Sequence, residues 1–451
     1  MPTCFVHPLA YHINPAEYFS IIRRAPGAVL LDSGRPGADR GRFDILSAWP
    51  TETLSPQPNE SGHDFLRRLR ASLTQLGEAQ LSDGCHLPFA GGLIGYLAYD
   101  FGSLLEPPRQ TAAQCAVDDL HLPPARLGLY AWALVSDHLE QTSQLVFHPS
   151  LCDEQREHLI NVFQQTALNA PAAFSLDGPF QTDISAEQYR QAITRIHEYI
   201  QAGDCYQVNF SQRFRAQYSG DPWAAYCALR VACPTPFSGF LSLTDSDAVL
   251  SLSPERFVKV SKGHVETRPI KGTRPRGKDA TEDAAYSAEL LVSAKDRAEN
   301  LMIVDLLRND LGRSCRIGSV KVPELFSLES YPNVHHLVSA VTGELADGND
   351  ALDLIGGSFP GGSITGAPKI RSMQIIDELE PSRRGLYCGS LMYLDVRGEM
   401  DSSIAIRSLL AKDGQISCSG GGGIVNDSSW EAEYQETFTK VRVLMQTLEG
   451  L

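Results

Sequence analysis

The sequence has no CxxC pair among its ten cysteines, which are scattered from Cys4 to Cys418. That spacing fits neither a zinc ribbon nor a dithiol redox motif, and predicts free, mostly buried thiols in a reducing compartment. No apolar run approaches the length of a membrane span. The first residues, MPTCFVHPLAYHINPAEYF, lack a basic stretch followed by an apolar one, so a signal peptide is not expected and a cytoplasmic location is. Cations are in deficit: 39 Lys and Arg stand against 54 Asp and Glu, a net charge of -15. A nucleic-acid-coating surface is not expected, although a local basic pocket for a small anion fits. HExxH, GxSxG and the Rossmann glycine fingerprint are all missing. GDCYQ at 203–207 lacks the second glycine of a nucleophile elbow, so Cys205 reads as structural.

What is present is an ordinary globular composition, 43% hydrophobic and 21% charged over 451 residues. It excludes disorder, collagen and coiled coil for the whole chain, and the length allows two or three domains. Up to about residue 166, strand-like runs such as 28–33, 91–101 and 128–137 alternate with turns, and HDFLRRLRASLTQL (63–76) has helical spacing. Residues 167–180 are small, Pro- and Gly-bearing and aperiodic, and read as a linker or long loop before a second part, 181–451. Ser185 and Gln188 form a capping box for a helix ending at Gly203. Alternating runs at 206–214, 239–243, 249–260 and 264–270 follow, then a helix over 283–312, strands over 386–425 and a last helix at about 429–448. The expected class is α+β, with large, mainly antiparallel sheets packed as a sandwich and flanked by helices.

Chemistry-bearing residues cluster in the second part. On the last helix Tyr434, Phe438, Val441, Met445 and Leu448 share a core face, while Glu433, Glu436 and Lys440 share a stripe about 60° wide. On pattern alone that stripe reads as a solvated face. The functional alternative is two carboxylates holding a hard cation beside an ammonium. Asp296 and Glu299 are a second acidic pair, on a helix with apolar residues on more than one side, which is harder to explain as a solvated face. Four carboxylates on two helices suit a cation that takes oxygen ligands and keeps open positions, above all Mg²⁺. SGGGGIV (419–425) suits an anion nest, or else a flexible turn. Lys271, in TRPIKGTRPR, is either a surface residue of a basic loop or an amine whose protonation its neighbours disfavour. Glu255 lies 16 residues earlier, where strand pairing would bring both into one cleft; a lone Glu is more often at the surface. His336 has the ordinary reading of a satisfied, partly buried histidine.

Taken together, LSPERF, PIKGTRPRG, KDRAENLMIVDLLRNDLGR, HHLVS, FPGGSITGAPKIRSMQIIDELEP, GLYCGSLMYLD, SSIAIRS, GGGGIV and EAEYQETFTK resemble the chorismate-binding enzyme family. Its members include anthranilate, aminodeoxychorismate, isochorismate and salicylate synthases. The resemblance spans about 185–451 and is looser before that. Water-using members carry a general-base Lys where this chain has Gln207, which cannot deprotonate water, so an ammonia-using member is implied. Anthranilate synthases typically have Ala in the PIxGT motif, and Lys271 instead resembles the aminodeoxychorismate synthases. Anthranilate synthase component I is the alternative, and a non-catalytic chorismate- or tryptophan-binding subunit a more distant one.

The resemblance implies that Lys271 is the nucleophile, Glu255 the acid/base and His336 a neighbour of the ring. Gly272, Thr273, Ser363, Tyr387, Arg407, Gly421, Gly423 and Lys440 would hold chorismate. Glu299 and Glu436 would bind Mg²⁺ directly, supported by Glu433 and by Asp296, which stands where some members have Glu. LLDS (30–33) and CPTPF (233–237) suggest a tryptophan site with Ser33, Pro234 and Phe237. A glutamine amidotransferase subunit is implied as the partner supplying ammonia. The implied product is 4-amino-4-deoxychorismate, a precursor of p-aminobenzoate and folate.

Overall fold

The computed structural model describes residues 1–38, 41–106, 116–164, 172–330 and 334–451. The strand Gly92–Leu97 shows how the sequence builds the fold. Leu93 and Leu97 join an apolar cluster with Phe65, Leu66 and Leu69 of the helix Gly62–Leu76. Ile94 and Tyr96 point the other way, into a cluster with Val29, Ile45, Val249 and Leu410 of a second sheet. Side chains alternate across a strand, so a strand apolar at every position must be covered on both faces. Trp132–Asp137 repeats this in the other sheet: Ala133 and Val135 face the shared core, while Trp132 and Leu134 meet Phe19, Trp223 and Leu444 of the outer helices.

Two antiparallel sheets result, packed as a sandwich with helices outside. The larger has 13 strands, and its main path runs from Phe5–Leu9 at one edge through Val29–Asp32, Phe237–Ser242 and Ala248–Ser253 to Gln415–Ile424, Gln207–Ser219 and Gln181–Thr182. The smaller has ten, and its main path runs from Ile270–Pro275 through Val334–Glu344, His264–Thr267 and Arg256–Ser261 to Met400–Ser403, Ser390–Asp395, Gly92–Leu97 and Glu52–Leu54.

Both sheets draw strands from both sides of 167–180: Val29–Asp32 pairs with Phe237–Ser242, and Gly92–Leu97 with Ser390–Asp395. The division at 167–180 therefore does not coincide with a division between sheets. Within that stretch, 167–171 lies outside the described residues. Ser175–Leu176 pairs with Ser219 and Tyr218, and Phe174 stacks on Tyr218 at 5.3 Å.

Two elements differ from expectation. The run 128–137 is two strands, Ala125–Tyr130 and Trp132–Asp137, which belong to different sheets; the chain passes between layers at Ala131. The helix expected over 283–312 is two helices, Ala280–Val292 and Ala294–Gly312. Ser293 leaves helical geometry and its side chain accepts from Asp296 N, so it is an N-cap set inside an apparently continuous pattern. The helix Ala186–Gln201 has its Ser185–Gln188 capping box, and the last helix runs Trp430–Glu449. The nine described cysteines are free. Among the described residues no helix is long and apolar enough to cross a membrane.

Candidate active site

Lys271 sits in a bulge. Ile270 pairs with Val338 and Thr273 with His336, so three steps on one strand oppose two on the other. Such a bulge re-aims the side chains it carries. Gly272, at φ +84°, supplies the conformation a bulge needs, and a Cβ there would lie 2.8 Å from Leu290 and 3.0 Å from Asp296. Lys271 Nζ donates to Ser363 O at 3.2 Å, and the ammonium makes no ion pair among the described residues. Burial lowers its pKa, opposed by Glu255 and reinforced by Lys440.

Glu255 immediately precedes the strand Arg256–Ser261 and is 7% exposed. Its main chain is pinned by Ile404 N to Glu255 O at 2.9 Å. Ser363 Oγ donates to Glu255 Oε1 at 3.1 Å. Burial raises its pKa, against the pull of Lys271 and of the Ser363 hydrogen bond. Burial thus moves both groups toward their neutral forms, an acid holding its proton and a free amine. Their strands are not paired with each other: His264–Thr267 and Val334–Glu344 lie between them in the sheet. Ser363, in the short 3-10 turn Gly362–Ile364, is the residue that touches both.

His336 and Thr273 Oγ1 share a hydrogen bond of 2.9 Å through Nδ1. Burial and then Arg407 push the imidazole pKa down to about 4, so it is neutral at neutral pH. The Arg407 guanidinium, half-buried and on a residue at φ +50°, has no hydrogen bond or ion pair among the described residues. A half-buried cation left without a carboxylate is arranged for an incoming anion. Tyr387 is buried, with Arg384 over its ring at 5.8 Å, and burial holds its phenol well above the ordinary range.

The glycine run is part of the strand Gln415–Ile424 rather than a loop, paired along Gln207–Ser219. A Cβ on Gly421 would lie 2.5 Å from Phe210 O, and one on Gly423 would lie 2.4 Å from Gln207 Nε2. A Cβ on Gly422 would instead approach Glu433 Oε2, Glu436 Oε1 and Lys440 Nζ at 3.1, 3.4 and 3.6 Å. Lys440 Nζ donates to Gly421 O at 2.8 Å and pairs with Glu436 at 2.6 Å. The last helix is therefore not merely a solvated face: Glu433 is buried and accepts from Ser428 Oγ at 2.7 Å, while Glu436 and Lys440 stay accessible.

The four acids come from two helices toward one region. Burial raises the Glu299 pKa against Lys271 and Lys295, and Asp296 and Glu436 push it further. Burial likewise raises Glu433, with Glu436 adding to it. Asp296 is paired with Arg274 at 3.1 Å. The helix Ala294–Gly312 buries one side only: Ile303, Val304 and Leu307 are inside, and Leu301 is 46% exposed. Among the described residues no three His, Cys, Asp or Glu side chains gather into a ready-made metal cage. By donor chemistry Glu299, Glu436 and Glu433 nonetheless fit a hard divalent cation. They offer oxygen only, and their mutual repulsion is what such an ion relieves.

Ser33 and Phe237 line a cavity of about 700 Å³ between the sheets, with Phe43, Leu87, Leu391 and Tyr393. Ser33 Oγ is buried without a hydrogen-bond partner among the described residues. Pro234 is not among the lining residues; it lies against Gly37, where a Cβ would be 2.6 Å from Pro234 Cβ. Sequence reasoning passed over two buried ion pairs near Ser363, Asp310–Lys369 and Glu380–Arg384. The second is four residues apart on a readable stretch; the first, 59 residues apart, left no local signal.

The family model for chorismate binding enzymes matches residues 28–446. Aminodeoxychorismate synthase component 1 of Escherichia coli is 46% identical over 98% of both chains. Anthranilate synthase component 1 of Mycolicibacterium smegmatis is 36% identical over 96% of this chain and 88% of its own. The crystal structure of anthranilate synthase component I from Streptococcus pneumoniae superposes with a TM-score of 0.78 at 32% identity, covering 90% of this chain and 93% of that one. With the family model covering most of its length and relatives matching from end to end, this chain belongs to the chorismate-binding enzyme family.

Proposed function

We propose that the protein is an enzyme that converts chorismate and ammonia to 4-amino-4-deoxychorismate and water. The observation that carries this reading is the Lys271–Ser363–Glu255 arrangement: a buried amine and a buried carboxyl, both shifted toward neutrality, held by one serine. The 46% identity to aminodeoxychorismate synthase component 1 supports the choice of product.

Neutral Lys271 adds through Nζ at ring carbon 2, the double bonds shift, and the 4-hydroxyl departs. Glu255 gives that hydroxyl its proton, so water leaves rather than hydroxide, a step of this kind being worth roughly 10²–10⁴-fold. Ammonia then bonds to carbon 4 and the Lys271 amine leaves carbon 2. The surplus proton on the new amine returns to Glu255, which resets the pair. Arg407 and Lys440, with the backbone of Gly421 and Gly423, hold the two carboxylates of chorismate, and His336 lies neutral beside the ring. Glu299 and Glu436, backed by Glu433 and Asp296, would hold Mg²⁺, which when bound neutralises a substrate carboxylate. Glu436→Gln should weaken calorimetric Mg²⁺ binding in the presence of chorismate; unchanged binding would remove Glu436 from the set.

The test of the reading is to incubate the purified chain with chorismate, Mg²⁺ and ammonium, and to identify the product by mass spectrometry. Aminodeoxychorismate retains the enolpyruvyl group; fluorescent anthranilate with released pyruvate would instead favour anthranilate synthase. A glutamine amidotransferase subunit is the proposed partner, because most ammonia at neutral pH is ammonium and the relatives are named component 1. The chain alone should use ammonium salts at raised pH but not glutamine. The cavity lined by Ser33 and Phe237 is proposed to take tryptophan, whose ammonium would meet the orphaned Ser33 hydroxyl. Tryptophan recovered from denatured protein, or a thermal shift on adding it, checks this.

A further inference from the structure

Ser363 holds both reacting groups, yet between the helices Ala351–Ser358 and Lys369–Leu379 its segment has only a short 3-10 turn and the two-residue strand Gly366–Ala367, which pairs with Gln207 and Val208. Its fixed position needs a cause. Both ends of that segment, Ser358 and Lys369, are fastened at one point. Lys369 Nζ donates to Ser358 O at 2.8 Å and pairs with Asp310 Oδ1 at 2.7 Å. The ammonium therefore closes 358–369 into a loop and ties the closure to the helix Ala294–Gly312, which also carries Asp296 and Glu299. Inside the loop Thr365 Oγ1 donates to Gly361 O at 3.1 Å. Gly362 is pressed onto the helix: a Cβ there would lie 2.5 Å from Leu306 and 3.5 Å from Asp310 Oδ2.

The neighbouring buried pair gives the contrast. Arg384 donates to both oxygens of Glu380 and to Ile364 O and Asn209 O, and Ser211 also donates to Glu380. That pair is saturated. Asp310 is 1% exposed, yet its Oδ2 has no hydrogen-bond partner among the described residues. A buried carboxylate oxygen left unsatisfied is costly. A pair kept for stability alone has no reason to be left incomplete, whereas a clasp at this point has one.

We propose that Asp310 and Lys369 are positioning residues for the reaction: they close the loop 358–369 on the helix and so set Ser363 between Lys271 and Glu255. This rests on the chemistry proposed for Lys271 and Glu255. Neither Asp310 nor Lys369 touches substrate. Their effect passes through Ser363.

The experiment is a double-mutant cycle on the full chain with chorismate, Mg²⁺ and ammonium, using wild type, Asp310→Asn, Ser363→Ala and the double variant. Asp310→Asn should lower kcat on the order of 10- to 100-fold, the scale expected for a small misplacement of reacting groups. The KM for chorismate should change much less than kcat, because Asp310 touches no substrate and Ser363 is the one binding residue it positions. Because Ser363→Ala removes the hydroxyl on Glu255 but keeps the carbonyl on Lys271, the double variant should be slower than Ser363→Ala by clearly less than the Asp310→Asn loss alone. Losses that multiply, or an unchanged kcat in Asp310→Asn, would overturn the inference. Lys369→Met, which keeps the aliphatic stem, runs the same cycle if Asp310→Asn does not fold. A crystal structure of either variant reads the inference without activity: Ser363 displaced from Glu255 supports it, and Ser363 unmoved contradicts it. Failure of the wild type to form aminodeoxychorismate would instead strike the functional reading.

Discussion

Around Ser33 the buried charges are matched. Asp32 accepts from Arg230 and from Tyr226, each at 2.8 Å; Asp44 pairs with His138 at 2.7 Å; Asp137 pairs with Arg42 at 2.8 Å. Around Lys271 they are matched only in part: Asp296 pairs with Arg274 and Glu436 with Lys440, but Lys271 and Arg407 make no ion pair among the described residues. Lys271 spends one hydrogen bond on a carbonyl, Arg407 spends none from its guanidinium, and the acids on two helices push one another's protons on. The first cluster does what a core asks, pairing each charge it buries. The second keeps charges available at a stability cost. Binding a dicarboxylate would supply the missing partners.

The contrast can be broken most sharply at Lys271. Lys271→Ala should abolish turnover, and Glu255→Gln should lower kcat by about 10²–10⁴-fold, the range for loss of a general acid. Neither should lose the stability expected of a broken buried ion pair, since neither group makes an ion pair among the described residues. Steady-state kinetics with calorimetric unfolding checks both halves; a destabilised, fully active variant would break the comparison.

The matched cluster predicts the reverse. Arg230→Met leaves Asp32 buried without its cation and should cost about 3–5 kcal/mol of stability. Turnover per folded molecule should be unchanged at low temperature. His336 gives a pH signature next. Its pKa falls from the ordinary 6.5 to about 4 on folding, so the unfolded chain takes up a proton where the native protein does not. Its contribution is complete above pH 6.5, is lost as pH falls through the interval to 4, and amounts to roughly 3 kcal/mol. His336→Gln should flatten that part of the stability–pH curve relative to wild type.

The smallest expected effect is at Arg407. Arg407→Gln should raise the KM for chorismate by about 10- to 100-fold, the worth of one charged hydrogen bond. The unfolding temperature should not fall, because this guanidinium has no protein partner among the described residues to lose.

Much of this was legible from residue patterns. Period-two apolar runs gave the sheets, and Ser185 with Gln188 gave a helix start. Lys271, Glu255 and the four acids were all candidates by type and spacing. What the pattern could not carry was non-local. The bulge between Ile270 and Thr273 exists only against Val338 and His336. Glu433 is buried and Glu436 exposed although both lie on one stripe and both approach Gly422 of the neighbouring strand, a difference set by packing that helix periodicity does not carry. The change of sheet at Ala131 leaves no breaker residue in GLYAWALVSD. The helix break at Ser293 was missed, because the apolar periodicity continues on both sides of it.

The proposed covalent step is a bond from Lys271 Nζ to the substrate, made by an amine whose protonation burial disfavours. Rapid quench of the enzyme with chorismate and Mg²⁺, without ammonia, followed by peptide mass analysis, tests it directly. The account predicts an increment of chorismate minus water on the peptide containing Lys271, absent from Lys271→Ala. Formation of aminodeoxychorismate by Lys271→Ala at an unchanged rate, with no increment on the wild-type peptide, would contradict it.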